Sequence, residues 1–168
     1  LYQNIFNRVM TKFEATQPEE LCQLKAMTFH LPFTKMGKKA LNSYAALEHS
    51  VFSKDDKEEL LSHWQNRFDK SALLNREVGN IYTGSLFLSF LSLLLFAEDI
   101  QSGDKVGLFS YGSGAVAELL TGTIQDQYLN ALNKESVIQH FNKRESLTIE
   151  QYEEIYNEFL ITDEVKAK

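Results

Sequence analysis

The sequence predicts a layered α/β fold in which helices cover a sheet. Apolar runs of strand length occur near residues 25–29, 105–110 and 115–123, and the segments between them repeat their apolar residues at helical spacing. The run from about 82 to 96 is apolar on nearly all sides, which is typical of a helix buried inside such a fold. Together these observations predict a single domain over residues 1–168.

Composition limits the classes of function that the chain can have. The 168 residues are 43% hydrophobic, which is enough for one domain with a real core. The net charge of −6 argues against a nucleic-acid or anionic-membrane partner, because binders of those partners usually present basic surfaces. The longest apolar run, 86–97, is shorter than the ~20 residues that span a bilayer. No nucleic-acid or membrane partner is therefore expected.

Cys22 is the single cysteine, which excludes an intrachain disulfide and suits the cytoplasm, the expected location. Its apolar neighbours Leu21 and Leu24 predict a buried structural thiol with nothing beside it to lower its pKa. The first residues resemble the middle of an amphipathic helix over 1–15, so we expect the chain to be a fragment of a longer protein.

Other elements are predicted from spacing. A short strand should lead into Val78-Gly79-Asn80, and residues 133–160 should form terminal packing helices, the second opened by a capping box of Thr148 and Gln151. His49 and His63 lack neighbours at ligand spacing, so no metal site is expected. The charged segment 49–75 predicts a surface helical excursion with an apolar side facing inward: Leu60, Leu61, Trp64 and Phe68.

A histidine stands where the strand over 25–29 is predicted to end. Pro32 biases Leu31 towards extended geometry, so His30 falls at the exit of that strand. Ligands of open α/β sheets bind at this edge, which makes His30 a candidate catalytic residue. The alternative is a hydrogen-bonded packing residue.

Lysines crowd the start of the next helix, which is predicted over about 34–48 with Thr34 as its N-cap. Lys35, Lys38 and Lys39 lie in its first turns, where the partial positive charge of the helix end disfavours a cation. An anion would reverse that effect, and free helix N–H groups beside lysines bind phosphate. The pattern predicts a phosphate-bearing ligand, unless the lysines only form a solvated face.

Two later motifs depend on glycine. Gly79 permits a sharp turn before Asn80, whose amide would lie at the amino end of the apolar helix, although an ordinary strand-to-helix turn gives the same pattern. Gly112 and Gly114 flank Ser113 in a turn between two predicted strands, where outward N–H groups would suit an oxyanion. A plain glycine-rich hairpin is the alternative.

Three motifs in register resemble one known family. They are the run from His30 to Lys39 (His-x-Pro-Phe-x-Lys-Met-x-x-Lys), the run from Val78 to Ser85, and the run from Gly107 to Gly114. Their order and spacing are similar to those of the carboxy-terminal half of a bacterial hydroxymethylglutaryl-CoA (HMG-CoA) synthase. The resemblance implies one half of a thiolase-like layered α/β fold, with a mixed sheet, a buried central helix and covering helices.

The resemblance also implies a reaction, in which acetyl-CoA condenses with acetoacetyl-CoA to give HMG-CoA in the mevalonate route to isoprenoids. The family's nucleophilic cysteine and general-base glutamate belong to its amino-terminal half and have no match in this chain, so the isolated chain is expected to be inactive. The implied partners are the two CoA thioesters as substrates, the amino-terminal half of the same enzyme, and a second copy in a homodimer. No cofactor is implied.

Several positions match functional residues of that family. His30 matches the catalytic histidine, which donates a hydrogen bond or a proton to the ketone oxygen of acetoacetyl-CoA. Lys35 and Lys39 match lysines that contact CoA, and their spacing places both on one helix face. For Lys38, the resemblance does not decide whether it contacts CoA.

The glycine motifs receive roles from the same resemblance. Asn80 matches the asparagine that holds the acetoacetyl thioester carbonyl, and Ser113 matches the serine whose backbone N–H helps to stabilise the oxyanion, with Gly112 and Gly114 supporting the turn. Two alternatives without catalysis stay open: an acyl-CoA-binding module that uses the same lysines and asparagine, and a structural scaffold.

Overall fold

A computed structural model describes residues 1–112 and 116–166, with side chains up to residue 158 in the last helix. The chain divides into two compact units, Leu1–Asn133 and Lys134–Lys168, where the sequence predicts one domain over 1–168. The division falls where the sequence places the start of the terminal helices.

The larger unit holds the sheet and the helices that cover it. Its elements, in chain order, are α1 (Tyr2–Thr16), α2 (Pro18–Cys22), β1 (Leu24–Phe29), α3 (Lys35–Ala45), α4 (Lys54–Ser71), α5 (Leu73–Val78), α6 (Gly84–Phe96), β2 (Lys105–Gly112), β3 (Val116–Thr123) and a 3₁₀ turn (Tyr128–Ala131). The smaller unit holds α7 (Lys134–Asn142) and α8 (Ile149–Lys166).

The sheet is mixed, as predicted. Its strand order is β1-β2-β3, with β1 parallel to β2 and β2 antiparallel to β3. A parallel pair needs a long crossover connection, which the helices α3 to α6 supply. Because β1 and β2 run in the same direction, their carboxyl ends lie at one edge of the sheet, so that His30 and the end of β2 at Gly112 share this edge.

Alternate residues of β1 pack into two different cores, because successive side chains of a strand point to opposite faces. Met27 and Phe29 join a cluster with α1, α3 and α4, whereas Ala26 joins a cluster that contains Val106 of β2 and Leu93 of α6. The sheet therefore has α1 and α3 on one face and α6 on the other.

An aromatic cluster joins α1 to both parallel strands. The ring of Phe6 lies 5.5 Å from that of Phe29 and 4.9 Å from that of Phe109, and the last two rings are 6.2 Å apart. All three side chains are fully buried. Each such aromatic pair contributes about 0.5–1.5 kcal/mol beyond the burial of area, so α1 is a firm part of the core.

The predicted inner side of α4 is confirmed: Leu60, Leu61, Trp64 and Phe68 are all buried. The indole nitrogen Nε1 of Trp64 donates to the carbonyl of Leu24 at 2.7 Å. This bond joins α4 to the first residue of β1, so α4 takes part in holding that strand.

Two local predictions are wrong in part or whole. Thr34 precedes α3, but its backbone is already helical and its hydroxyl makes no cap bond within the described chain; the helix ends at Ala45 rather than near 48. The strand predicted before Gly79 is instead the helix α5, closed by a bond from the Gly79 amide to the Asn75 carbonyl at 3.0 Å. A short apolar run is compatible with either a strand or a helix, and this one forms a helix.

The apolar helix α6 is buried or half-buried along its length except at Phe87, which agrees with the predicted buried helix. It begins at Gly84, two residues later than predicted, because Tyr82 has a φ of 52°. Phe87 is 62% exposed, whereas Ser85, Ser89 and Ser92 are fully buried. The polar residues of this helix thus face the interior, and part of its apolar surface faces outward.

The smaller unit confirms the predicted capping box. The Gln151 amide donates to Thr148 Oγ1 at 3.2 Å, and the Thr148 amide donates to Gln151 Oε1 at 2.9 Å. The rings of Tyr152 and Tyr156 then stack along α8 with their centroids 6.1 Å apart. A packing role for these helices stays a prediction.

Glu14 of α1 places a carboxylate inside the larger unit, where it is 2% exposed. It accepts hydrogen bonds from the Tyr44 hydroxyl at 2.7 Å, from the Val51 amide at 2.5 Å and from the Ser50 hydroxyl. Burial raises the pKa of Glu14, but these bonds and the charge of Lys57 together lower it below the ordinary value. The carboxylate therefore ties α1 to α3 and to the segment that leads into α4.

Glu14→Gln should lower the free energy of unfolding at pH 7 by about 3 kcal/mol, the scale for breaking a buried charged network. Because the native pKa is depressed, ionised Glu14 stabilises the fold above its unfolded value of 4.5, and this contribution is lost as the pH falls through the native value. The difference in the free energy of unfolding between wild type and variant should therefore become smaller below pH 4.5. Urea unfolding at a series of pH values measures this difference.

The matched control is Glu19→Gln, which changes an exposed glutamate of the neighbouring helix α2. It should alter the free energy of unfolding by no more than about 0.5 kcal/mol. The difference in the free energy of unfolding between wild type and Glu14→Gln should depend on pH. A difference that stayed constant from neutral to acid pH would contradict the role given to the ionised carboxylate.

Candidate active site

The backbone of His30 is fixed at the exit of β1, where the sequence places it. Its amide donates to the Phe109 carbonyl of β2 at 2.8 Å, and its carbonyl accepts from the Tyr2 hydroxyl of α1 at 2.8 Å. The amides on either side, those of Phe29 and Leu31, donate to serine hydroxyls of α6. Three elements thus hold this one residue in position.

The imidazole of His30 is half-buried, and its ring centroid lies 6.3 Å from that of Tyr111. Burial lowers the pKa of His30, so the ring is neutral near pH 7, with one nitrogen as a donor and the other as an acceptor. Burial also raises the pKa of Tyr2, with a further contribution from Tyr111, so the Tyr2 hydroxyl keeps the proton that it donates.

A cleft of about 430 Å³ runs along the start of α3. A second cleft shares Thr34 and Arg76 with it and continues to Gly79 and Asn80. Because the two clefts share these residues, they adjoin, and we call the pair the cationic groove. The first is lined by Thr34, Lys35, Lys38, Lys39, Asn42, Phe68, Asp69 and Arg76, and the second by Leu31, Pro32, Phe33, Thr34, Asn75, Arg76, Gly79 and Asn80.

The lysines of the cationic groove are exposed, and the first turn of α3 contains no acidic residue. Asp69 is the carboxylate in this lining, and it forms an ion pair with Arg76. No acidic side chain in the described parts of the chain pairs with Lys35, Lys38 or Lys39. The groove therefore offers positive charge to an anion at the amino end of a helix.

Arg76 is a groove residue that sequence reasoning missed. It lies in the last turn of α5 and lines both clefts, between the lysines and Asn80. Its position three residues before Gly79 could have indicated that it lies near Asn80. The sequence predicts a strand there, however, and so gave no reason to place Arg76 beside the lysines. A guanidinium suits phosphate because it presents several donors in one plane.

The turn before α6 confirms the sharp bend predicted at Gly79, whose φ of 79° and ψ of −150° lie in a region that side chains rarely allow. Asn80 is exposed and lines the groove, and its Oδ1 accepts from the Tyr82 amide at 2.9 Å. The bond orients the side chain and leaves its NH₂ group as a donor.

Gly112 is the last residue of β2 and pairs with Val116 of β3, so β2 runs two residues further than predicted. Ser113 and Gly114 lie outside the described residues, and the roles expected of them stay predictions.

The prediction of a buried thiol at Cys22 is wrong, because the residue is exposed. It ends α2 directly after the buried Leu21, and one step along a helix turns the next side chain by about 100°. Desolvation raises the pKa of Cys22, and the negative charge of Asp56 raises it further. The thiol is therefore protonated at neutral pH and is not an activated nucleophile.

The described ranges, 1–112 and 116–166, contain no group of three His, Cys, Asp or Glu residues arranged to hold a metal ion. Their helices also lack any segment with the length and apolar character required to cross a membrane.

Comparison with known proteins gives consistent matches. The family model described as "Hydroxymethylglutaryl-coenzyme A synthase C terminal" matches residues 46–162. The hydroxymethylglutaryl-CoA synthase of Enterococcus faecalis is 39% identical over 162 residues, covering 96% of this chain and 40% of the relative. That of Saccharomyces cerevisiae is 34% identical over 91 residues, covering 53% of this chain and 18% of the relative.

Solved structures agree with the sequence matches. An HMG-CoA synthase complexed with CoA superposes with a TM-score of 0.78 and 35% identity, covering 90% of this chain and 37% of that chain. The chain thus spans 40% of the length of its Enterococcus faecalis relative. By sequence and by thiolase-like α/β fold, the chain belongs to the hydroxymethylglutaryl-CoA synthase family and corresponds to its carboxy-terminal part.

Proposed function

We propose that this chain supplies the ketone-activating and CoA-binding part of an enzyme that condenses acetyl-CoA with acetoacetyl-CoA to form HMG-CoA. The observation that carries the proposal is that Leu31, the residue next to His30, lines the cationic groove, in a chain of the HMG-CoA synthase family. Asn80 lines the same cleft as Leu31. A cation-lined groove whose lining includes the residue next to a histidine suits a substrate with phosphates at one end and a reactive carbonyl at the other.

His30 acts on the ketone oxygen of acetoacetyl-CoA in this proposal. The enolate carbon of an acetyl group on the enzyme attacks the ketone carbon, a carbon–carbon bond forms, and the carbonyl electron pair moves to oxygen. The neutral imidazole, which the lowered pKa of His30 favours, donates its N–H as a hydrogen bond to that oxygen and stabilises its negative charge. A ring that has taken up a proton from solvent transfers it to the oxygen to complete the tertiary alcohol and returns to its neutral form.

The cationic groove binds the CoA portion. Lys35 and Lys39 contact phosphate at the amino end of α3, and Arg76 of α5 adds a guanidinium to the same groove. Asn80 donates its amide N–H to the thioester carbonyl of acetoacetyl-CoA at the far end of the groove. Ser113, with Gly112 and Gly114 beside it, supplies a backbone N–H to the oxyanion.

The nucleophilic cysteine and the general-base glutamate come from the amino-terminal half of the enzyme, since the raised pKa of Cys22 does not suit it to that role. That half packs on apolar surface that this chain exposes, such as Phe87 of α6 at 62%, Val116 of β3 at 64% and Leu120 at 53%. The intact enzyme is a homodimer that works in the cytoplasm, in the mevalonate route to isoprenoids.

The titration of His30 in the full-length protein is the first test. Because burial lowers its pKa, the midpoint should fall below the ordinary value of 6.5 when the ring resonances are followed by NMR. His30→Asn identifies the signals. A midpoint at or above 6.5 would mean that neighbouring negative charge outweighs burial, and the ring would not be the neutral donor described.

His30→Ala in the full-length protein should spare acetyl transfer from acetyl-CoA to the enzyme but reduce condensation by about 10²- to 10⁴-fold, the contribution of a positioned acid or base. The two half-reactions use different groups, so isotope trapping of the acetyl-enzyme separates them. An equal loss of both in a folded variant would refute the role of His30. A wild-type protein that bound acetoacetyl-CoA without forming product would indicate a non-catalytic acyl-CoA-binding module.

The double variant Lys35→Ala/Lys39→Ala should raise the KM for acetoacetyl-CoA by about tenfold or more with little change in kcat, because binding to both ground and transition states is lost. Added salt should weaken wild-type binding, since exposed charges are screened. Initial rates at low and moderate ionic strength measure both effects.

The matched control is Lys12→Ala/Lys54→Ala, which removes two exposed lysines from outside the groove lining. Its KM should equal that of wild type. If the groove variant behaved like this control, the lysines would be only a solvated face.

A further inference from the structure

Three buried serines form a stripe along α6. Ser85, Ser89 and Ser92 are each fully buried, and their spacing places them on one face of the helix. Buried hydroxyls need hydrogen-bond partners. Ser92 has two on the α4–α5 side, since it donates to the Lys70 carbonyl at 2.6 Å and accepts from the Leu74 amide at 3.3 Å.

The other two serines accept bonds from the chain on either side of His30. Leu31 donates its amide to Ser85 Oγ at 3.0 Å, and Phe29 donates its amide to Ser89 Oγ at 3.4 Å. The spacings correspond, because four residues of helix rise about 6 Å and two residues of strand about 6.6 Å. The hydroxyl oxygens of Ser85 and Ser89 are thus spaced along the helix like the amides of Leu31 and Phe29 along the strand.

These two amides cannot be satisfied by β2. The His30 amide points to Phe109 of β2 at 2.8 Å, and neighbouring amides of an extended chain point to the opposite edge. Within the described chain, β1 has β2 as its strand neighbour, and its other edge lies against helices. At this point Ser85 and Ser89 accept the backbone hydrogen bonds that the carbonyls of a neighbouring strand would otherwise accept.

Ser85 is also tied to the wall of the cationic groove. Its carbonyl accepts from Asn75 Nδ2 at 2.9 Å, and Asn75 of α5 is 1% exposed. Asn75 is itself a lining residue of the cleft that contains Asn80. One buried residue therefore connects the backbone beside His30 with the part of the groove beside Asn80.

We propose that Ser85, assisted by Ser89, is a positioning residue that fixes the His30 segment against α6 and so sets the direction of the imidazole towards the substrate ketone. Ser85 does not touch the substrate and acts through His30. The proposal rests on the proposed function. It adds that the geometry of the proton donor is set from α6 as well as from β2.

The test uses Ser85→Ala in the full-length protein. The variant leaves the Leu31 amide without its acceptor and frees the segment to shift. The kcat for condensation should fall by about 10- to 100-fold, the scale that a displacement of about 1 Å costs. The KM for acetoacetyl-CoA and the rate of acetyl transfer to the enzyme should stay close to wild type, because neither depends on the direction of His30.

Ser92→Ala is the matched control, since it removes an equally buried hydroxyl from the same helix, where it bonds to α4 and α5 instead. Both variants should lose thermal stability, but Ser92→Ala should keep its kcat. Equal kcat values for the two folded variants would overturn the proposal. If Ser85→Ala does not fold, Ser89→Ala replaces it, with a smaller kcat loss that must still exceed that of Ser92→Ala.

A second readout is independent of the reaction. The imidazole resonances of His30, assigned with His30→Asn, should shift in Ser85→Ala and stay in place in Ser92→Ala. Unmoved resonances in Ser85→Ala would overturn the proposal. If the wild-type protein forms no HMG-CoA, the proposed function fails, while these resonances still decide whether Ser85 positions His30.

Discussion

The bond from the His30 amide to the Phe109 carbonyl, at 2.8 Å, continues the parallel pairing of β1 with β2 beyond the end of β1. The candidate site depends on it, because it brings His30 to the strand that leads into Gly112 although the helices α3 to α6 separate the two in sequence. Residues of the same crossover line the cationic groove, so the connection that the parallel pair requires also supplies the lining of the candidate site.

Much of the fold follows from periodicity, and the exceptions have physical causes. The three strands and the helix face of α4 that carries Trp64 were predictable because their apolar residues repeat at the spacing of the element. The helix α5 was not, since its few apolar residues fit either a strand or a helix. Cys22 was misjudged because its neighbour Leu21 is buried, and a helix turns adjacent side chains to different sides.

For the candidate site, the sequence motifs supplied the residues and the structure supplied their relation. His30, Lys35 and Asn80 were predictable as candidates, but only the fold shows that the groove runs from the lysines to Asn80. Arg76 and Ser85 were not predicted. Arg76 lies in a helix that the sequence presented as a strand, and a serine within an apolar run gives no sign of the backbone amide that it accepts.

The two pairings of β2 also differ in how many residues of chain separate the paired strands. β3 follows β2 almost directly, and such hairpins form in about 1–10 μs. β1 is separated from β2 by the whole crossover, so its docking incurs a larger loop-closure entropy, and we expect it to follow the formation of the hairpin. The backbone of His30 would then be fixed after that of β2 and β3. Until then, the uncovered edge of β2 is open to pairing with another chain, and misassembly of the nascent protein would begin there.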